Sequence, residues 1–241
     1  MLKSKKVITI IIPTFNSEDT IESCLSSINF SLGENIEKIN VLVCDGVSTD
    51  KTLELINDMN YSWVTIISKP DNGIYDAMNS GIKCCNTDWV YFLGSDDVLL
   101  SGFNNMLKNL IGNKIFYGDV VLTSNASIYG GVFSNLKLVF KNINHQSVFY
   151  PRTILLDHLF DLKYRYLSDW NTNIILFHKF SYLPFVVAKY NDETGASSTL
   201  IDYKFMEDKN SIVYKYLGFK CFVFSNLLKF MGKVKNVVKS Q

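Results

Sequence analysis

An α/β fold is predicted, with a mostly parallel sheet, helices on both faces and a C-terminal amphipathic helical extension. Three observations carry this expectation. Strand and helix signals alternate through the first hundred residues, which implies βαβ units, parallel pairing and right-handed crossovers. Polar motifs follow three of the first four strand signals directly, at their C-terminal ends, the edge where open sheets of this kind bind ligands. The end of the chain combines a helical period with lysines and no acids.

The elements follow in order. Val7 to Ile12 is a continuous β-branched run closed by Pro13-Thr14-Phe15-Asn16. A helix is expected next, with Ile21, Cys24, Leu25 and Ile28 on one face and Ser17 as candidate N-cap. Ile39 to Cys44 is a second strand, ending in Asp45-Gly46-Val47-Ser48-Thr49-Asp50. A helix through Leu53 and Ile56 and a third strand, Trp63 to Ile67, follow. Asp71-Asn72-Gly73 then opens a helix with Ile74, Ala77, Met78 and Ile82 on one face. The fourth strand, Trp89 to Leu93, delivers Gly94-Ser95-Asp96-Asp97. Adjacent carboxylates at the end of a buried strand are costly unless a cation meets them. The plainer alternative is a polar loop in which Asp97 caps a helix before Val98 and Leu99.

Pro13-Thr14-Phe15-Asn16, Asp45 to Thr52, Asp71 to Ile82 and Ser95-Asp96-Asp97 together resemble the inverting family-2 glycosyltransferases of the GT-A fold, across roughly residues 7 to 200. That resemblance implies a Rossmann-like nucleotide-binding sheet, a UDP-sugar donor and a divalent metal, Mn²⁺ or Mg²⁺. It implies that Pro13, Thr14, Phe15 and Asn16 line a uracil pocket and that Asp45 takes hydrogen bonds from the base or ribose. Asp71, Asn72 and Asp76 would belong to the same nucleotide-sugar site, with an ordinary solvated place on the helix as the alternative for Asp76. Asp96 would lie by the ribose and diphosphate, and Asp97 would bind the metal directly. The usual Asp-x-Asp form is reduced here to Ser-Asp-Asp. A hard cation stabilises the charge on a departing diphosphate.

The acceptor hydroxyl must lose a proton as it attacks, so a base is needed. Arg165-Tyr166-Leu167-Ser168-Asp169-Trp170-Asn171 precedes a helical run, Ile174 to Phe177, and Asp169 aligns with the family's catalytic aspartate. The alternative makes Asp169 a helix N-terminal acid favoured by the macrodipole. His145-Gln146-Ser147 resembles an element that binds acceptor or phosphates in members building bacterial surface polysaccharides, although a lone His beside a strand is more often structural. Gly195-Ala196-Ser197, after a strand signal at Phe185 to Lys189, resembles part of a closing loop, which would place Ser197 at the acceptor or phosphates; a surface connection is the alternative.

The 241-residue chain, 47% apolar, suffices for one sizeable core, and its net charge of +1 offers no general reason to bind nucleic acid. Five cysteines without metal spacing suit a reducing cytosol. Neither a signal peptide nor a 20-residue apolar span is expected. The expected organisation is a GT-A domain over 1–200, with 1–100 holding the nucleotide-sugar and 101–200 the acceptor, then a helical tail over 201–241. No acid follows Asp208, while Lys215, Lys220, Lys229, Lys233, Lys235 and Lys239 do. From Phe222 to Lys239 most apolar residues fall within an arc of roughly 140°, which reads as a membrane-surface helix or as one docked on protein.

The combined expectation is a bacterial enzyme, peripheral on the cytoplasmic face of the inner membrane. It would move a hexose, glucose or galactose, from a UDP-sugar to a polyprenyl-diphosphate-linked saccharide with inversion, in O-antigen or capsule assembly. The rival from another class is a non-catalytic sugar-nucleotide-binding or scaffolding protein on the same fold, which would need no base. A nucleotidyltransferase would show a Gly-rich basic loop after the first strand, which Pro13-Thr14-Phe15-Asn16 lacks.

Overall fold

The computed structural model describes residues 6–193 and 201–227. Its first half is the expected alternation: β1 (Ile8–Thr14), α1 (Ile21–Leu32), β2 (Ile39–Asp45), α2 (Thr52–Asp58), β3 (Val64–Ser68), α3 (Ile74–Cys84) and β4 (Trp89–Phe92). The second half holds β5 (Val98–Leu99), α4 (Gly102–Leu107), β6 (Ile115–Leu122), β7 (Ile128–Tyr129), α5 (Asn135–Phe140), β8 (Val148–Pro151), α6 (Arg152–Asp157), α7 (Ser168–Leu176), β9 (Phe180–Tyr190) and α8 (Tyr203–Leu217). Residues 219–227 are also helical.

One sheet runs through the whole chain in the order β3-β2-β1-β4-β8-β6-β9-β5, with β7 added on β6. Strands β3, β2, β1 and β4 are parallel, as their alternation with helices requires. Beyond β4 the pairing turns mixed, with β8 antiparallel to both β4 and β6 and β6 parallel to β9. The mostly parallel pairing expected from the sequence therefore holds for the first half, and the second half is mixed.

The continuous apolar run of β1 is explained by burial on both faces. Ile8, Ile10 and Ile12 pack with α1 residues Ile21, Cys24, Leu25 and Ile28. Ile11 faces the other layer, with Met78 and Ile82 of α3 and residues from α5 to α8. Ser17 does not cap α1. The flanking position is Thr20, without a side-chain cap bond, and the Ser17 hydroxyl instead meets that of Ser95 at 2.8 Å. Ile74 also leaves the expected core face of α3 and stands exposed.

The start of the C-terminal extension is packed on the domain. Phe205 of α8 packs edge-on against Tyr164 and tilted against Trp170, and Phe224 meets Phe140 of α5 at 6.3 Å between ring centroids. Among the described residues no helix is long and apolar enough to cross a membrane. Most of the basic amphipathic run, from residue 228 onward, lies outside the described residues.

Close approach of α3 to β1 sets the position of everything α3 carries. A Cβ on Gly81 would fall 2.7 Å from Ile11 Cγ2 and 3.1 Å from Cys44 Sγ. Gly81→Ala is therefore expected to cost about 1–3 kcal/mol by overpacking, read as a lower urea midpoint at unchanged m-value.

Candidate active site

A cleft of about 830 Å³ opens over the C-terminal ends of β1 and β4 and extends to α5 and α7. On its first side lie Phe15, 62% exposed, and Asn16. Asn16 adopts φ 47°, a left-handed conformation that asparagine tolerates better than most residues. That turn lets its Oδ1 accept from the Thr49 amide at 2.9 Å while its own amide donates to Ser48 Oγ.

Asp45 anchors this loop from below. Buried to 1%, it accepts from the Val47 amide at 3.0 Å and from the hydroxyls of Ser48 and Ser68 at 2.5 and 2.6 Å. Its hydrogen bonds here are to the loop that follows and to β3. Pro13 and Thr14 are buried in β1, with Thr14 Oγ1 donating to the Ile12 carbonyl, so neither reaches the cleft wall. Asp71 accepts from the Gly73 amide and Asp76 from the amide and side chain of Asn72. These three residues organise the entry to α3 and do not line the cleft.

The two adjacent carboxylates lie in different surroundings. Asp97 is 1% exposed and accepts from the Gly94 amide, the Asn191 amide and Gln146 Nε2, at 3.0, 2.8 and 2.5 Å. Burial first, then the charge of Asp96, push its carboxyl up to about 6. Asp96 is the partly exposed member that lines the cleft, where Asn191 Nδ2 donates to it at 3.1 Å. The cleft-facing carboxylate is therefore Asp96, and Asp97 is a buried tie. Among the described residues no group of three His, Cys, Asp or Glu side chains is placed to hold a metal. The donor set fits only a cation that takes most of its ligands from a bound polyanion and water.

Gln146 lines the cleft with its amide nitrogen engaged by Asp97. His145 lies beside Asp169, with Nδ1 3.6 Å from Oδ2. Asp169 opens α7 at the far wall, 5% exposed. Its Oδ1 accepts from Tyr75 Oη and the Trp170 amide, both at 2.8 Å, and its Oδ2 from Asn142 Nδ2 at 2.8 Å. The site of Oδ2 left by Asn142 is the one beside His145. Burial, then Asp169 itself, push the Tyr75 hydroxyl well above its ordinary value, so it stays a donor.

Asn142, Asn191 and Tyr75 had no site role in the sequence reading. Tyr75 sits inside a quoted motif, and Asn142 three residues before His145, but only the fold aims them at carboxylates. Ser197, with Gly195 and Ala196, lies outside the described residues.

The sequence profile described as "Glycosyl transferase family 2" matches residues 9–153. The chain belongs to that family. A PGL/p-HBAD biosynthesis glycosyltransferase of Mycobacterium bovis is 37% identical over 213 residues, covering 83% of this chain and 82% of the relative. The Escherichia coli protein WfgD, a UDP-Glc:alpha-D-GlcNAc-diphosphoundecaprenol beta-1,3-glucosyltransferase, is 27% identical over 63% of this chain and 60% of its own. Staphylococcus aureus TarS 1-349 in complex with UDP-GlcNAc superposes with a TM-score of 0.68 at 17% identity, covering 88% of this chain and 71% of that one. This likeness shows the GT-A fold. The chain is a glycosyltransferase of family 2.

Two predictions follow from the carboxylates of this glycosyltransferase. A hydrogen bond to a charged group is worth about 1.5–3 kcal/mol and favours the ionised form. Tyr75→Phe removes one of the donors that orient Asp169 and should therefore lower kcat by roughly tenfold, with the donor KM unchanged. For Asp97, the unfolded value of 3.8 rises to about 6 on folding. The folded protein then holds a proton that the unfolded chain releases between these values, so stability falls as pH rises through them. The loss attributable to Asp97 is about 3 kcal/mol at 1.36 per unit. Urea midpoints should show that slope in the parent and lose it in Asp97→Asn.

Proposed function

We propose that this glycosyltransferase moves a hexose, glucose or galactose, from UDP to a lipid-diphosphate-linked saccharide with inversion. The observation that carries the reading is that Asp96 and Asp169 line one cleft. The wall that holds Asp96 also holds Phe15 and Asn16, whose exposed faces suit a flat base and its polar edge. UDP-GlcNAc bound to TarS and the lipid-diphosphate acceptor named for WfgD support the two substrate classes.

In the proposed reaction Asp169 Oδ2 takes the acceptor hydroxyl's proton on the side left open beside His145. The acceptor oxygen forms its bond to the anomeric carbon as the bond to the diphosphate oxygen breaks, and that electron pair leaves with UDP. Tyr75, the Trp170 amide and Asn142 hold the carboxylate oriented for this step. A divalent cation, Mn²⁺ or Mg²⁺, held by Asp96 and the donor diphosphate, would stabilise the charge gathering on UDP. His145 flanks the acceptor site, and Gln146 holds the buried carboxylate of Asp97. The setting we propose is the cytoplasmic face of the inner membrane, in the assembly of O-antigen or capsule, with the basic C-terminal run at the membrane surface.

The test is UDP release and product anomer across a panel of UDP-sugars, with Mn²⁺ or EDTA and a GlcNAc-diphosphate-lipid acceptor. Asp169→Asn should lower kcat by roughly 10²–10⁴-fold while donor binding persists. Asp96→Ala should lose metal-dependent donor affinity. Full turnover by Asp169→Asn, or an α-linked product from an α-linked donor, would sink the single-displacement reading.

A further inference from the structure

Two stretches of the chain carry cations and no acids. One runs between Asp119 and Asp157 and includes Lys137, Lys141 and Arg152; the other runs from Lys209 to the last residue. The fold brings them together at α5, where Phe140 packs on Phe224.

The same place is unusually apolar at its surface. Val132, Leu136 and Phe140 are 71, 47 and 55% exposed, and the last two lie four residues apart, on one face of α5. Phe219, Val223 and Leu227 are 66, 49 and 53% exposed at the same spacing on the 219–227 helix. Contiguous exposed apolar surface rimmed by polar groups marks an interaction site. Phe140 and Lys141 also line the cleft on the Asp169 side, and Lys141 Nζ sits 3.8 Å over the Tyr129 ring there. The apolar surface thus begins at the mouth of the acceptor end. The described residues end at Leu227, and the sequence after it carries Lys229, Lys233, Lys235 and Lys239 and no acid.

We infer that Val132, Leu136 and Phe140 of the α5 region join Phe219, Val223 and Leu227 in a single surface that seats on an anionic lipid bilayer, with the acceptor end of the cleft opening at its edge. The occupant is chosen by charge complementarity: exposed apolar stripes between lysines, in segments stripped of acids, match anionic headgroups over an acyl boundary. This rests on the lipid-linked acceptor proposed above and adds what that reading lacks, a second membrane contact built into the catalytic domain. An acceptor whose lipid stays in the bilayer would then reach Asp169 without leaving it.

The experiment is flotation of the full chain with phosphatidylglycerol-containing or phosphatidylcholine-only vesicles, comparing the parent with Val132→Ser/Leu136→Ser and Phe219→Ser/Val223→Ser. None of these four side chains lines the cleft, and circular dichroism and urea midpoints confirm folding. The parent should float with anionic vesicles and remain behind with neutral ones. Each pair should weaken partition by roughly tenfold. Parent-like flotation of Val132→Ser/Leu136→Ser, or no flotation of the parent, would overturn the inference. A dimer abolished by the same substitutions would overturn it too, by giving the surface to a second copy. Flotation as expected without glycosyl transfer to any lipid-linked acceptor would keep the surface and fail the proposed function.

Discussion

Asp97 is a carboxylate that the fold has removed from water, and the cleft is assembled around satisfying it. Three donors reach it from chain segments far apart in sequence: the Gly94 amide after β4, Gln146 before β8 and the Asn191 amide after β9. Buried carboxylates are tolerated only when hydrogen-bonded, so these segments are tied to one point. The tie places His145 one residue from Gln146 and lets Asn191 send its side chain to Asp96. The raised carboxyl of Asp97 measures the cost of the arrangement: burial and Asp96 still disfavour its charge more than the donors favour it. A bound cation at Asp96 would relieve that opposition from the cleft side.

The opposite wall follows the same logic. Asp169 begins α7, where unpaired amides favour an acid, but the helix supplies only its share. Tyr75 comes from α3 and Asn142 from the segment after α5. Asn142 also accepts from Asn173, which bonds Tyr150 in turn, so α7 and β8 share the network. Donors on fixed elements hold this carboxylate in one orientation while it is shielded from water.

The first hundred residues were largely legible because their signals are local. β-branched runs, a 3.6-residue period and turn residues define β1 to β4 and α1 to α3 within a residue or two at most ends. The mixed half was less legible, since the antiparallel pairing of β8 with β4 and β6 depends on contacts between remote segments. Within the site, the motifs marked the right neighbourhood, and burial decided the roles. Nothing in Ser95-Asp96-Asp97 says which carboxylate turns inward. Asp45 reads as a ligand group from its place after a strand, yet the hydroxyls of Ser48 and Ser68 claim it. Ile74 fits the apolar period of α3 and still faces outward, because the first turn of that helix lies at the cleft rather than over the sheet.

Gly94 shapes the turn that presents this motif. A Cβ at that position would meet the carboxylate oxygens of both Asp97 and Asp96. The tight turn that sends one carboxylate down to Gln146 and the other out to the cleft therefore leaves no room for a side chain two residues before Asp96. An acid there would have to unseat Asp97 and, with it, the segments at Gln146 and Asn191. Where the usual Asp-x-Asp form has its first acid this chain has Ser95, which lines the cleft with its hydroxyl on that of Ser17, so a cation bound beside Asp96 must rely on the substrate diphosphate for most of its coordination.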